Sequence, residues 1–218
     1  LLVDLDPQAH ATLGLGCDGE EVPGVAQVLG GLSRIARVAQ PVAGGIDLLA
    51  GSPHLAEFEE KAERMLRPER ALDRALEEVA GDYDYTLVDC PPRADGVLTA
   101  NALGAATTAV LVVETGAFAL QGALRALRIF EEVAERRDLS FDVRVLGTLF
   151  DRRTVFARDL LVAMQARFGP IMYDTAVRSS VRLREACAVG LPVGLHAPRS
   201  GAADDFRVPT GATWNVQR

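Results

Sequence analysis

Two short apolar segments that each end in aspartate and then proline constrain the fold of this chain more than any other feature. The first runs from Leu1 to Gln8 (LLVDLDPQ), and the second runs from Tyr85 to Pro92 (YTLVDCPP). A continuous apolar run bounded by turn residues is typical of a buried strand in a parallel sheet, so each segment predicts a strand that brings a carboxylate to the C-terminal edge of the sheet. Two such strands predict a site for a metal ion and a phosphate group.

The glycine-rich loop that binds phosphates beside such strands, GxxxxGK[ST], does not occur in the sequence. The one lysine of the chain, Lys61, lies in a charged helical stretch and not in a glycine-rich loop. The sequence therefore predicts a nucleotide site that is present only in part.

Length and patterning favour a single α/β domain. The chain has 218 residues, of which 49% are hydrophobic and 24% charged, which is enough to bury a sizeable core. Apolar runs alternate with helical patterns, as a mainly parallel sheet covered by helices requires. The predicted strands are Leu1–Asp4, Ile46–Ala50, Thr86–Asp89, Ala109–Val113 and Val143–Leu149.

Three helical patterns stand out between these strands. The stretch from Glu57 to Ala80 predicts two helices, because Pro68 suits the first turn of a helix better than its middle. Two apolar stripes with three- and four-residue spacing predict core-facing helices. They are Leu120, Leu124, Leu127, Phe130 and Val133, and Phe156, Leu160, Met164 and Phe168.

Charge is distributed unevenly along the chain. Residues 1–100 hold 8 Arg and Lys against 18 Asp and Glu, and residues 101–218 hold 15 against 12, so that −10 and +3 give the net charge of −7. A basic patch that contacts DNA phosphates and an ordinary solvated face both fit the arginines of the second half. The arginines in question are Arg152, Arg153, Arg158, Arg178, Arg182 and Arg184. No apolar run is long enough to cross a bilayer.

The motifs, taken in order, resemble the ParA/MinD group of deviant Walker A P-loop ATPases, and within it the ParA (Soj-like) partitioning branch. The similar segments are DLDPQxxAT at Asp4 to Thr12, DYDYTLVDCPP at Asp82 to Pro92, LTANAL at Leu98 to Leu103, ALQGA at Ala119 to Ala123 and VRLREA at Val181 to Ala186. The resemblance implies a P-loop NTPase-like three-layer sandwich with a mainly parallel sheet. Because the family's phosphate loop precedes LLVDLDPQ, it also implies that the first strand and that loop are missing. The predicted domain covers residues 1–206, and residues 207–218 are interpreted as a frayed or altered tail.

Candidate site residues follow from the strand ends and from the resemblance. Asp4 and Asp6 share one face of a strand at period two. By resemblance Asp89 is the Walker B aspartate that holds the water shell of Mg²⁺, Asp4 supports the metal, and Asp6 positions the attacking water. The alternatives are that Asp89 caps the following turn and that Asp4 and Asp6 form a solvated strand-to-loop corner.

Four further residues are cofactor-binding candidates by resemblance. Gln8 and Thr12 match the loop of the first motif, although hydrogen bonding within the loop explains them nearly as well. Arg178 and Ser180 stand where the family has the proline and asparagine that recognise adenine, which predicts weakened or altered adenine recognition.

The resemblance implies ATP and Mg²⁺ as cofactors and nonspecific DNA, a ParB-like activator and an ATP-dependent homodimer as partners. It also implies a cytoplasmic, nucleoid-associated location without a membrane contact. Without a phosphate loop the chain alone is predicted to be inactive. Two alternatives stay open, a non-catalytic scaffold or regulator and a relative in the same superfamily that positions another cargo.

Overall fold

A computed structural model describes residues 1–151 and 153–207. It contains seven strands within those residues: β1 Leu2–Asp4, β2 Gln40–Val42, β3 Ile46–Leu49, β4 Leu87–Asp89, β5 Thr108–Glu114, β6 Asp142–Phe150 and β7 Met172–Arg178. The helices are α1 His10–Gly14, α2 Val25–Leu29, α3 Ile35–Val38, α4 His54–Ala62, α5 Ala71–Glu77, α6 Val97–Ala105, α7 Ala119–Arg137, α8 Val155–Phe168, α9 Val181–Ala188, α10 Val193–His196 and α11 Gly201–Asp205. Short 3₁₀ helices occupy Pro68–Arg70 and Gly169–Ile171.

The chain divides into two compact units. The first comprises Leu1–Ala106 with Ala186–Pro192, and the second comprises Thr107–Glu185 with the described residues from Val193 onward. Each unit has its own sheet, so the mainly parallel α/β fold is confirmed but the predicted sheet is divided into two.

The sheet of the first unit has the strand order β2-β3-β1-β4. Strand β1 pairs in parallel with β3 and with β4, and β2 pairs with β3 in antiparallel orientation. Sequence patterning missed β2 because it has three residues and contains Pro41, which favours an edge strand. In the described residues β4 pairs with β1 only, and Leu87 is 60% exposed at that edge.

The core of the first unit packs the sheet against helices. Val3, Leu49, Leu72 and Leu98 are fully buried within it. A buried amide joins α6 to the turn before α5: the Asn101 side chain accepts a hydrogen bond from the Leu72 amide and donates to the carbonyl groups of Pro68 and Val97. Pro68 begins the 3₁₀ turn that leads into α5, which confirms the predicted break between two helices.

The sheet of the second unit has the order β5-β6-β7, with all strands parallel. Strand β7 was missed in the sequence. Helix α7 packs Leu120, Leu124 and Leu127 on the core of this unit, as its apolar stripe predicts. In α8 the residues Leu160, Met164 and Phe168 are buried, but Phe156 is 55% exposed. The prediction for Phe156 was wrong because it lies in the first turn of α8, whose contacts with the core begin farther along the helix.

In the described part of the chain no helix is both long and apolar enough to span a membrane. The predicted tail, apart from Arg207, lies outside the described residues.

Candidate functional site at the C-terminal edge of the first sheet

Two parallel strands bring the predicted carboxylates to one edge of the first sheet. Strands β1 and β4 are paired so that Asp4 lies opposite Asp89. Just beyond, the amide of Leu5 donates a hydrogen bond to the carbonyl oxygen of Asp89 at 2.8 Å. Because β1 and β4 run in the same direction, their aspartates emerge together at the edge where α/β proteins bind ligands. Asp4 and Asp89 therefore lie together at this edge, and Asp6 is near enough for its charge to act on Asp89.

Asp4 is buried, with none of its surface exposed. Its Oδ2 atom accepts hydrogen bonds from the amide of Thr12 at 2.8 Å and from the hydroxyl of Thr12 at 2.7 Å. Its Oδ1 atom accepts a hydrogen bond from the amide of Asp6 at 3.1 Å. The interpretation of Asp4 and Asp6 as a solvated corner is therefore wrong for Asp4, whose carboxylate is enclosed by its own loop.

Asp6 lies in a tight loop and is half-buried. Its Oδ1 atom accepts a hydrogen bond from the amide of Gln8 at 2.9 Å, and its carbonyl oxygen accepts one from the amide of Ala9 at 2.9 Å. The side chain of Gln8 is exposed. Ala9 has a left-handed backbone with φ of 53°, which places a non-glycine residue in a strained conformation inside this loop.

Asp89 stands at the exposed end of β4, yet its carboxyl group is partly desolvated beside the other two aspartates. Desolvation, followed by the negative charges of Asp4 and Asp6, raises the pKa of the Asp89 carboxyl above its ordinary value. A divalent cation at this edge would offset the repulsion that Asp4 and Asp6 exert on Asp89.

Magnesium fits this edge as a partly hydrated ion. Mg²⁺ keeps several of its waters and is held in proteins by one or two carboxylates, and the Asp89 carboxylate stands at this edge with Asp6 near it. A complete protein cage is not present, since the described residues contain no group of three or more metal-ligating side chains arranged around one point. The residues present fit a magnesium ion that also takes oxygen ligands from a phosphate group.

The described residues offer fewer groups for binding a triphosphate than for binding magnesium. Lys61 lies on α4 and its ammonium group contacts the carboxylate of Glu57 at 3.2 Å. The residues 1–218 contain no GxxxxGK[ST] segment. The donors that usually surround a β- or γ-phosphate are thus not supplied by this stretch of sequence.

The adenine-site candidates, Arg178 and Ser180, lie in the second unit. The guanidinium of Arg178 pairs with the carboxylate of Asp205, with Nη2 and Oδ1 2.6 Å apart, and donates to the carbonyl oxygen of Gly201 at 2.6 Å. The hydroxyl of Ser180 accepts a hydrogen bond from the amide of Arg182 at 3.2 Å. Arg178 therefore fastens α11 to the end of β7, a contact that the sequence alone did not indicate.

The six arginines of the predicted basic patch differ in their surroundings. Arg153, Arg178 and Arg182 pair with the carboxylates of Asp151, Asp205 and Glu185. Arg158 and Arg184 are exposed, and in the described part of the chain neither has an ion-pair partner. Arg152 lies outside the described residues. The positive charge available to a phosphate is consequently smaller than the sequence count suggests.

Sequence reasoning missed the backbone partner of Thr12. The amide of Gly51, at the end of β3, donates a hydrogen bond to the Thr12 hydroxyl at 2.9 Å. A Cβ atom at position 51 would lie 2.7 Å from the Asp4 side chain, so glycine permits this approach. The available signal was a glycine directly after the predicted strand Ile46–Ala50, a place where close backbone contacts are common.

The fold and this edge define a member of the P-loop class of α/β nucleotide-binding proteins. The family profile AAA_31, described as an AAA domain, matches residues 1–143. The chromosome-partitioning ATPase Soj of Thermus thermophilus is 37% identical over 210 residues, covering 95% of this chain and 80% of that protein. The sporulation initiation inhibitor protein Soj of Bacillus subtilis is 32% identical over 211 residues, with 94% and 82% covered.

A solved structure has a fold similar to that of this chain. Cobyrinic acid a,c-diamide synthase from Mycobacterium smegmatis, with a bound ATP analog and magnesium, superimposes with a TM-score of 0.74 at 31% identity. The match covers 87% of this chain and 77% of that one. The match to the AAA_31 profile and the two Soj relatives show that this chain belongs to the ParA/Soj family of partitioning ATPases, as the motifs indicated.

Proposed function

We propose that the protein containing this chain is a Mg²⁺-dependent ATPase of the ParA/Soj type that takes part in DNA partitioning. The observation that carries the proposal is the placement of Asp89 opposite Asp4 at the ends of paired parallel strands, with Asp6 in the loop directly after β1, in a chain 37% identical to a chromosome-partitioning ATPase. Residues 1–218 supply the carboxylates of the proposed site but contain no GxxxxGK[ST] loop.

Each carboxylate has a distinct role in the proposed reaction. Magnesium, when bound, supplies positive charge to the phosphate oxygens and relieves the repulsion among the three aspartates. Asp89 holds the water shell of the ion. Asp6 orients the attacking water, since its Oδ1 atom is fixed by the Gln8 amide while its carboxylate stays half-buried at the edge. Such positioning is the main protein contribution to phosphoryl transfer.

DNA binding, ATP-dependent dimerisation and a ParB-like activator belong to the same proposal. The positive charge of residues 101–218 supports a contact with DNA phosphates, and Arg158 and Arg184 are its strongest candidates because no carboxylate neutralises them in the described residues. A cytoplasmic location on the nucleoid follows from DNA binding. The further role of Gln8 in contacting the nucleotide is retained as a prediction.

A non-catalytic scaffold is the second candidate. It is favoured by Arg178, which stands at a predicted adenine-site position and is committed to Asp205 and Gly201. In this alternative the protein keeps the fold and its partner surfaces without turning over ATP.

The test is ATP hydrolysis by the protein translated from the complete reading frame. Hydrolysis is measured with Mg²⁺ or EDTA, with and without duplex DNA, for the unsubstituted protein, Asp6→Ala and the control Asp84→Ala, which removes an exposed aspartate before β4. We expect Mg²⁺-dependent turnover that falls by about a hundredfold or more in Asp6→Ala and is retained in Asp84→Ala. A folded complete protein that neither binds nor hydrolyses ATP would establish the scaffold instead.

A further inference from the structure

We propose that Thr12 and Asp4 are positioning residues that hold the Asp6 loop, and that neither contacts the nucleotide or the metal. This inference rests on the proposed function, because it concerns how Asp6 is oriented for the reaction. It reassigns two residues that the sequence placed in the cofactor and metal sites.

Continuous hydrogen bonds through Thr12 connect three segments of the chain. The Thr12 hydroxyl donates to Asp4 Oδ2 at 2.7 Å and accepts from the Gly51 amide at 2.9 Å. The Thr12 amide reaches the same Asp4 oxygen at 2.8 Å. These bonds join the end of β1, helix α1 and the segment after β3, and all of the groups are buried.

The remaining oxygen of Asp4 acts directly on the candidate catalytic residue. Asp4 Oδ1 accepts the hydrogen bond of the Asp6 amide at 3.1 Å, which fixes the backbone from which the Asp6 side chain projects. The Asp4 side chain is fully buried, and each of its oxygens accepts a hydrogen bond from its own loop. A metal ion or its water would therefore have to enter the closed loop to reach this carboxylate, because none of its surface is exposed.

Threonine suits this position because one hydroxyl group both donates and accepts. The Thr12 hydroxyl donates its proton to Asp4, and one lone pair of its oxygen accepts a hydrogen bond from the Gly51 amide. Valine has nearly the same shape but makes neither bond, and serine keeps both. The pair Thr12→Val and Thr12→Ser thus separates the hydrogen bonds from the volume of the side chain.

The experiment uses the complete protein and compares Thr12→Val, Thr12→Ser and Asp4→Asn. Steady-state ATP hydrolysis yields kcat and KM, titration with a fluorescent ATP analogue yields nucleotide affinity, and titration with Mg²⁺ yields the half-saturating concentration. For Thr12→Val we expect kcat to fall about 10- to 100-fold, with nucleotide affinity unchanged within about threefold. Thr12→Ser restores kcat to within about threefold, and Asp4→Asn lowers kcat without changing the Mg²⁺ requirement.

Other outcomes overturn the inference in recognisable ways. A loss of nucleotide affinity in Thr12→Val assigns Thr12 to the nucleotide site, and about a tenfold rise in the Mg²⁺ requirement of Asp4→Asn assigns Asp4 to the metal site. A lower melting temperature with full kcat shows a role in stability only.

Absence of turnover in the unsubstituted protein contradicts the proposed function, not the positioning network. In that case hydrogen exchange decides. Exchange of the Asp6 and Thr12 amides should accelerate in Thr12→Val and return to normal in Thr12→Ser, and equal exchange in the three proteins overturns the inference.

Discussion

Ala9 adopts a backbone conformation that alanine usually avoids. Its φ of 53° lies in the left-handed region, where a Cβ atom contacts the following carbonyl group and raises the energy by about 1–2 kcal/mol. The residue is buried between Asp6 and α1, so the surrounding loop holds it in place. Strain of this kind is common in loops that present functional side chains.

Replacement of Ala9 with glycine should stabilise the chain. Glycine removes the steric penalty but adds conformational entropy to the unfolded chain, so we expect a net gain of about 0.5–1 kcal/mol in the free energy of unfolding. The measurement is urea denaturation followed by circular dichroism. The control is Ala11→Gly in helix α1, which should lower stability by about 1 kcal/mol. Equal losses in the two variants would contradict the strain at Ala9.

Asp89 is a second residue whose surroundings oppose stability. The pKa of its carboxyl is raised in the folded protein, by desolvation and by the charges of Asp4 and Asp6. Ionisation of Asp89 therefore costs more in the folded chain than in the unfolded chain. This loss of stability is fully present at pH values above the pKa of the Asp89 carboxyl in the folded chain, and it decreases as the pH falls through that pKa. It vanishes at pH values below the pKa of the same carboxyl in the unfolded chain.

The variant Asp89→Asn should accordingly melt at a higher temperature than the unsubstituted protein at pH 7 in EDTA. The difference should shrink as the pH is lowered and be absent below about pH 3, where both states carry the proton. Differential scanning fluorimetry across this range measures it, with Asp84→Asn as a control for the loss of one exposed charge. A constant difference at all pH values would show that the effect is unrelated to ionisation.

At the scale of the elements, the loop between α1 and α2 packs backbone against backbone at the end of β3. A Cβ atom at Gly19 would lie 1.8 Å from the carbonyl oxygen of Gly51, and one at Gly24 would lie 2.1 Å from the carbonyl oxygen of Ala50. Glycine at both positions lets the loop lie directly on the segment that also supplies the Gly51 amide to Thr12. The site edge therefore depends on a contact between elements that are distant in sequence.

Alanine at position 19 should force this loop away from β3. Because the opposing atom belongs to the backbone, no side-chain rotation relieves the overlap, and we expect a loss of about 1–3 kcal/mol in stability. The control is Gly122→Ala on α7, where nothing lies within 4 Å of the added atom. That control should gain about 0.5–1 kcal/mol from helix propensity, measured by urea denaturation. An unchanged stability in Gly19→Ala would show that the loop has room to move.

At the scale of the whole molecule, charge is divided between an acidic first half and a basic second half. The number of basic residues overstates the positive charge available to DNA phosphates. Three of the six arginines predicted to contact DNA form ion pairs with carboxylates. Nonspecific affinity for DNA depends on the phosphates that a protein neutralises, and each lost contact lowers the salt dependence of binding. Arg158 and Arg184, which have no ion-pair partner among residues 1–151 and 153–207, should therefore contribute most to the affinity for DNA.

We expect Arg158→Ala and Arg184→Ala each to weaken binding to a duplex DNA probe and to reduce the slope of log K against log salt by about 1. Arg153→Ala is the matched control, because its guanidinium makes two hydrogen bonds of 3.0 Å with Asp151. Fluorescence anisotropy at several salt concentrations, with ATP and Mg²⁺ present, measures the three variants. Equal effects of all three substitutions would contradict the distinction between paired and unpaired arginines.

Local patterns in the sequence were sufficient for the central strands, the Pro68 break and the carboxylates at the strand ends. An apolar run followed by aspartate and proline determines a strand and its end by itself, since the periodicity and the turn residues are contained in a few neighbouring positions. The family followed from the same motifs, because they occur in the expected order. Strand β2 was missed because it has three residues and contains Pro41. Strand β7 was missed as well.

Only the tertiary structure decided which partner each polar side chain has. Asp4 was predicted from the sequence to support the metal, yet its Oδ2 atom accepts a hydrogen bond from Thr12, eight residues away, and the Thr12 hydroxyl accepts one from Gly51, 39 residues from Thr12. Arg178 appeared as a cofactor ligand, but Asp205, 27 residues away, pairs with it. The residue types and the spacing of strand ends are local properties, whereas burial and hydrogen-bond partners depend on how distant segments pack, which no short pattern encodes.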